Sequence, residues 1–228
     1  MSRSTTPHGR TGRPRRTSRA EILEAARRLI DRDGWEKLTI RRLAGELGIG
    51  ATTLYHHVRN KGDLLVQLLN DHAGQAERPT LPRDPRERVI AAATAMHDTL
   101  AAWPWAAEVL TTDGFLGLLD ESALWTVETI VGGAIEAGRT PEQAVVAFRD
   151  IWYYTVGEIL VRAHSGREQA QAESIPRHEI DFTRFDPARV PHLAAIADQW
   201  PALAAHDTYP QGLRALVDGL LFSECPGS

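Results

Sequence analysis

Residues 39–62 read Thr-Ile-Arg-Arg-Leu-Ala-Gly-Glu-Leu-Gly-Ile-Gly-Ala-Thr-Thr-Leu-Tyr-His-His-Val-Arg-Asn-Lys-Gly, and their spacing decides the fold. Thr39 is placed to cap a first helix that buries Ile40, Leu43, Ala44 and Leu47. Gly48-Ile49-Gly50 breaks that helix. A second one is expected over roughly Ala51 to Val58, burying Leu54 and Val58 and turning Thr52, Thr53, Tyr55, His56 and His57 outward. Two short helices around a glycine turn make a helix-turn-helix, with Ala51 to His57 as the helix that enters a DNA groove.

The same pattern also suits a helical hairpin in an ordinary bundle, so charge has to separate the two readings. Met1 to Gly62 hold 14 Lys and Arg against 6 Asp and Glu, a net of +8. The other 166 residues hold 12 basic and 24 acidic groups, a net of −12, and the sum recovers the −4 of the whole chain. A basic head joined to an acidic body puts the polyanion-binding surface at the N-terminus.

Flanking residues widen the pattern. Glu21-Ile-Leu-Glu-Ala-Ala-Arg-Arg-Leu-Ile30, Gly34-Trp35, Leu38-Thr39, Arg41-Arg42-Leu43-Ala44, Leu47-Gly48-Ile49, Thr53-Leu-Tyr-His-His-Val58 and Asn60-Lys61-Gly62-Asp63-Leu64-Leu65 together resemble the DNA-binding domain of the TetR (tetracycline repressor-like) family of transcriptional regulators. The resemblance implies a homodimer that binds double-stranded operator DNA and responds to a small-molecule effector. Arg41 would reach a phosphate or a guanine edge, and Thr52 and Thr53 thymine methyls or phosphates. Tyr55, His57 and Lys61 would hold the backbone, and His56 would do either.

With 228 residues, the chain has room for a small head and a body large enough for its own core. The expected divisions are a basic arm at 1–17, a helix-turn-helix domain at 18–64 and a ligand-binding and dimerisation domain at 65–228. The arm is too polar to fold alone; it is either a solvated tail or an added DNA contact in the minor groove. Ser18 and Glu21 form a capping box for a helix that Gly34 closes. Further helices are expected from Asn60 toward Ala76, from Asp84-Pro85 to Trp103, from Trp105 to Thr112, and from Asp120 to Ala137. Thr140-Pro141 then opens a long helix to about His164. A loop is expected between Ser165 and Asp186, followed by helices near Pro191 to Ala205 and Thr208 to Glu224. No strand pattern survives, so the fold class is all-α.

Apolar runs are short, which argues against a membrane span, and the basic N-terminus lacks the apolar stretch of a secretory signal. The single cysteine, Cys225, supports no internal disulfide and fits a reducing cytoplasm. Nine histidines show no metal-ligand spacing, and no glycine-rich phosphate loop is present. No catalytic residue, metal site or cofactor is therefore expected, and the chain reads as a regulator and not as an enzyme. An effector-independent DNA-binding regulator and an enzyme with a DNA-binding head stand as alternatives.

In the body, Trp103, Trp125 and Trp152 either fill a helical core or line a pocket for a planar aromatic molecule. His97, Glu128 and Thr129 are the polar groups placed to orient such a ligand. In the tetracycline-binding branch of the family, histidines orient the drug and its magnesium; here Glu77 and Trp103-Pro104-Trp105 occupy those regions, which argues against that ligand. The helix after Pro141 and the last helix are apolar around much of their circumference. The resemblance implies that they pair with their copies in a four-helix interface through Tyr154, Val161, Leu213, Leu216 and Leu220.

Overall fold

The computed structural model describes residues 17–111, 114–171 and 185–222, with the side chains of 166–171 excepted. Two compact units divide the chain, Met1–Leu68 and Leu69–Ser228. Among the described residues every regular element is helical, in agreement with the all-α reading.

The first unit is built by its caps. Ser18 accepts from the Glu21 amide while the Glu21 carboxylate accepts from the Ser18 amide at 2.8 Å, so helix α1, Arg19–Asp33, begins with two backbone donors satisfied. Ile22, Leu23, Ala26 and Leu29 are its core face. A single 3₁₀ turn, Trp35–Lys37, leads to Thr39, whose hydroxyl caps α2, Ile40–Leu47. Gly48 ends α2 with φ of 66°, a left-handed conformation that costs glycine little and other residues more. Helix α3 is Ala51–Tyr55, shorter than expected: His56 and His57 lie in the turn that closes it, and only Leu54 and Val58 hold this stretch to the core. Helix α4, Lys61–Gln75, starts where the Asn60 side chain accepts from the Asp63 amide at 2.9 Å.

The second unit is a helical bundle. Asp84 caps α5, Pro85–Ala101, with proline in its first turn. Helices α6, Pro104–Val109, and α7, Glu121–Glu136, follow. Helix α8, Pro141–Gln171, is 31 residues long and packs on α5, α6, α7 and α11. It extends past His164, where a loop was expected, because Arg, Glu, Gln and Ala at 167–171 favour helix despite lacking an apolar stripe. The rest of the expected loop, 172–184, lies outside the described residues, as do Cys225 and the arm up to residue 16. The helix expected near Pro191–Ala205 is broken in two, α9 (Pro191–Ile196) and α10 (Trp200–Ala204), by a 3₁₀ turn at Ala197–Gln199. Helix α11, Tyr209–Phe222, closes the bundle.

Two details fix how these helices seat. Thr155, the buried polar residue of the core among the described residues, shares a 2.8 Å hydrogen bond between its hydroxyl and that of Tyr209, tying α8 to α11. Beside it, Gly212 of α11 lies directly against the Tyr154 ring, with no room for a β-carbon. Where α7 meets α5, a β-carbon on Gly133 would stand 2.6 Å from a Val89 methyl and 3.2 Å from the Pro85 carbonyl. Its neighbour Gly132 faces open space. Gly132→Ala should therefore stabilise the fold by about 0.5–1 kcal/mol, since alanine is the better helix former. Gly133→Ala should instead destabilise it by about 1–3 kcal/mol by forcing α5 and α7 apart. Denaturant unfolding of the two variants checks the contrast; equal effects would mean that α7 does not press on α5 as described.

Candidate DNA-binding face and effector cavity

The face of α3 away from the core carries the residues singled out for DNA. Thr52, Thr53, Tyr55, His56 and His57 are all exposed, with Tyr55 56% accessible. Their backbone is held from behind. Gln67 donates to the His57 carbonyl at 3.2 Å and to Asp63 at 3.2 Å, and Asp63 accepts from the Arg59 amide at 2.8 Å. Arg19 donates to Gln67 at 2.9 Å, so α1, the turn after α3 and α4 share one hydrogen-bonded network. A recognition element held this way loses little conformational freedom on binding.

The cations of this unit fall into two groups. Arg42 pairs with Asp33 at 2.6 Å, and Arg32 bridges Asp33 and Glu46 at 2.8 and 3.4 Å. That pairing holds the Asp33 carboxyl below its usual range, with the Arg32 hydrogen bond as the largest cause. Arg41, one residue earlier, is exposed and enters no ion pair among the described residues. Lys61 is half-buried, donating to the Glu36 carbonyl at 2.9 Å with its ammonium 5.0 Å from the centre of the Trp35 ring. It therefore locks the 3₁₀ turn to the start of α4, whatever its other N–H groups reach.

In the second unit a cavity of about 70 Å³, partly open at its mouth, lies among α5, α7, α8 and the part of α4 from Leu69 onward. Trp125 and Trp152 line it, with Phe115 stacked on Trp152 at a 4.7 Å centroid distance. Met96, Leu100, Leu110 and Phe148 complete an apolar wall. The other residues expected there do not line it. His97 stacks on Tyr209 at 3.9 Å and pairs with Glu158 at 3.0 Å, serving the α5–α8–α11 junction. Trp103 stacks on His72 at 3.9 Å. Thr129 donates its hydroxyl to the Trp125 carbonyl at 2.7 Å, and Glu128 is exposed. Trp125, Glu128 and Thr129 share a helix, but a helix turns 100° per residue and its rotation against its neighbours decides which of them faces inward. Glu77 and Arg78, which do line the cavity, come from the connector after α4, where periodicity gives no signal.

Of the expected interface residues, Val161 is 67% exposed, while Tyr154, Leu216 and Leu220 are half-buried. Leu213 is fully buried within its own bundle, because it sits one turn from Tyr209 on the inward face of α11, and so offers a partner no surface.

Family models match almost the whole described chain. Residues 22–68 match the bacterial regulatory proteins of the tetR family, and residues 78–223 match the tetracyclin repressor-like C-terminal domain. The chain belongs to the TetR family. It is a DNA-binding transcriptional regulator with an N-terminal helix-turn-helix domain and a C-terminal helical domain. An HTH-type transcriptional regulator of Saccharopolyspora erythraea is 30% identical over 90% of this chain and 86% of its own. The HTH-type transcriptional repressor DrrR1 of Streptomyces coeruleorubidus is 31% identical over 87% of this chain and 75% of its own. The TetR family protein ActR of Streptomyces coelicolor, solved in complex with (S)-DNPA, superposes with a TM-score of 0.66 at 20% identity, covering 90% of this chain and 97% of its own. No helix among the described residues is long and apolar enough to cross a membrane.

The two groups of arginines differ in a measurable way. Arg41→Ala should lower the salt dependence of DNA binding by about one phosphate contact, whereas Arg42→Ala, already paired with Asp33, should leave it unchanged. Tyr55→Ala should weaken binding to all duplexes alike. Fluorescence anisotropy at several salt concentrations checks all three, and an unchanged affinity for the folded Tyr55→Ala, Arg41→Ala double variant would remove α3 from the DNA contact.

Proposed function

We propose that the protein is a cytoplasmic homodimeric repressor that binds a palindromic operator and releases it when a small-molecule effector enters the cavity of the second unit. The observation that carries the dimer is the apolar surface that α8 and α11 leave open. Tyr153 and Phe222 are each 57% exposed, Val145 and Val146 are exposed as well, and Val161 lies further along α8. Isolated exposed apolar residues are ordinary, but four along α8 with Phe222 at the end of α11 support an interface here.

Symmetry then supplies specificity. One recognition helix touches too few base pairs to find one site in a genome, and two related by a two-fold axis read half-sites about one helical turn apart. Arg41, Thr52, Thr53, Tyr55, His56, His57 and Lys61 are the proposed DNA-facing set in each copy. The effector acts because a fixed pair of recognition helices matches one groove spacing and no other. The apolar cavity favours this reading over an effector-independent regulator. The names of the relatives favour a regulator over an enzyme.

Wild-type protein should sediment as a dimer at micromolar concentration without DNA. Leu216→Glu with Leu220→Glu should give monomers, because burying unpaired carboxylates costs several kcal/mol each. Sequences selected from random duplexes by the wild type should be palindromic, with half-site centres about one turn apart. A wild type that sediments as a monomer, or a selected site with a single half, would overturn the proposal.

A further inference from the structure

The cavity has a chemistry more specific than its size. Two of its lining hydroxyls are already engaged: that of Thr99 donates to the Ala95 carbonyl at 2.8 Å and that of Thr126 to the Ala123 carbonyl at 3.3 Å, which leaves the Ser122 hydroxyl and the indole N–H groups of Trp125 and Trp152 as the neutral side-chain donors. Aromatic faces make up much of the wall, with Phe115 stacked on Trp152 and Trp125 also in the lining. A ligand body that fits such walls is flat and mostly apolar, because polar groups inside would find few partners to replace lost water.

Among the described residues, the charged ones that line the cavity are Glu77 and Arg78. They sit next to each other in the exposed connector, but they are not equivalent. The Arg78 guanidinium stands 5.4 Å over the Trp125 ring, and stacking of this kind holds a guanidinium while leaving its N–H edge available. That edge is shaped to take both oxygens of a carboxylate. An ammonium group at the same place would meet the guanidinium as a like charge. Nor do the described residues supply a donor set for a ligand delivered as a metal chelate: among them Glu77 is the one carboxylate in the lining, and no histidine joins it.

We propose that the cavity takes a planar aromatic monocarboxylate without a metal ion, its ring among Phe115, Trp125 and Trp152 and its carboxylate on Arg78 at the mouth. This rests on the reading of the cavity as the effector site. The ring supplies the buried area, and the charge, left at the mouth, keeps most of its hydration.

Calorimetric titration of the full-length protein with 2-naphthoate, 2-naphthamide and 2-naphthylmethylammonium separates the two levels. Naphthoate should bind about fivefold more tightly than the amide, the upper range for a partly exposed ion pair, and the ammonium compound should bind most weakly. Arg78→Gln should remove the advantage of naphthoate while leaving the amide unchanged, and EDTA should alter none of the affinities. Ala123→Trp, which fills the cavity, should abolish all three; Thr126→Phe is the smaller filling if the first variant does not fold. Equal binding of acid and amide, preference for the ammonium, or an advantage that survives Arg78→Gln overturns the carboxylate assignment and leaves the cavity as a binding site. Absence of binding by any probe, or wild-type binding to a filled and folded variant, overturns the cavity reading and the assignment with it.

Discussion

Helix α8 carries more apolar surface than its own bundle covers, and the bundle is arranged around that fact. Its inward stripe, Ala144, Ala147, Phe148, Ile151, Trp152, Val156 and Ile159, is buried against α5, α6, α7 and α11. The opposite side keeps Val145, Val146, Tyr153 and Val161 in solvent. In the proposed dimer that open side would meet the second copy. The cavity follows from the same helix, since the α8 residues that reach it, Phe148 and Trp152, leave a gap opposite α5 and α7 that aromatic rings only partly fill. Hydrophobic pressure alone would let α8 and α11 slide, and the Thr155–Tyr209 hydrogen bond in the core opposes this. A polar pair in an apolar core has one satisfied arrangement, which selects a register. Burial also pushes the Tyr209 hydroxyl well above the usual phenol range, so it stays protonated and the bond persists at any ordinary pH.

The first unit shows a different economy. It has a small core, and its order comes from hydrogen bonds at helix ends: Ser18 with Glu21, Thr39 with the Arg42 amide, and Asn60 with the Asp63 amide. Each cap adds about 1 kcal/mol, which matters in a unit whose apolar burial is limited. The result leaves the whole outer side of α3 without a structural task, so its residues are available for a partner.

How much was legible follows from the range of each interaction. Caps, glycine stops and proline starts act over three or four residues, so helix ends at Ser18, Thr39, Gly48 and Asp84 could be read from the chain itself. The outward position of Thr52, Thr53, Tyr55, His56 and His57 was legible for the same reason, because one short helix with a buried Leu54 leaves few choices for what points out. The cavity was only half legible. Trp125 and Trp152 stand out by size, but nothing local tells Thr126, which lines the wall, from Thr129, which does not, since both hydroxyls bond their own helix. His97 was drawn toward the ligand by its chemistry and in the structure belongs to Tyr209 and Glu158, 61 residues further on in the case of Glu158. Such pairings depend on distances between helices, and a single sequence does not carry them.

The contact between Gly212 and the Tyr154 ring has a consequence for genetics. Any side chain at position 212 must displace Tyr154, whose neighbours Tyr153, Gly157 and Val161 are on the open side of α8. In the proposed dimer, a substitution there would be felt by the second copy through a ring that never leaves its own chain. Such an allele would be derepressed although it touches neither operator, effector nor partner. A mutant screen would thus return a position whose phenotype misleads about its place in the molecule.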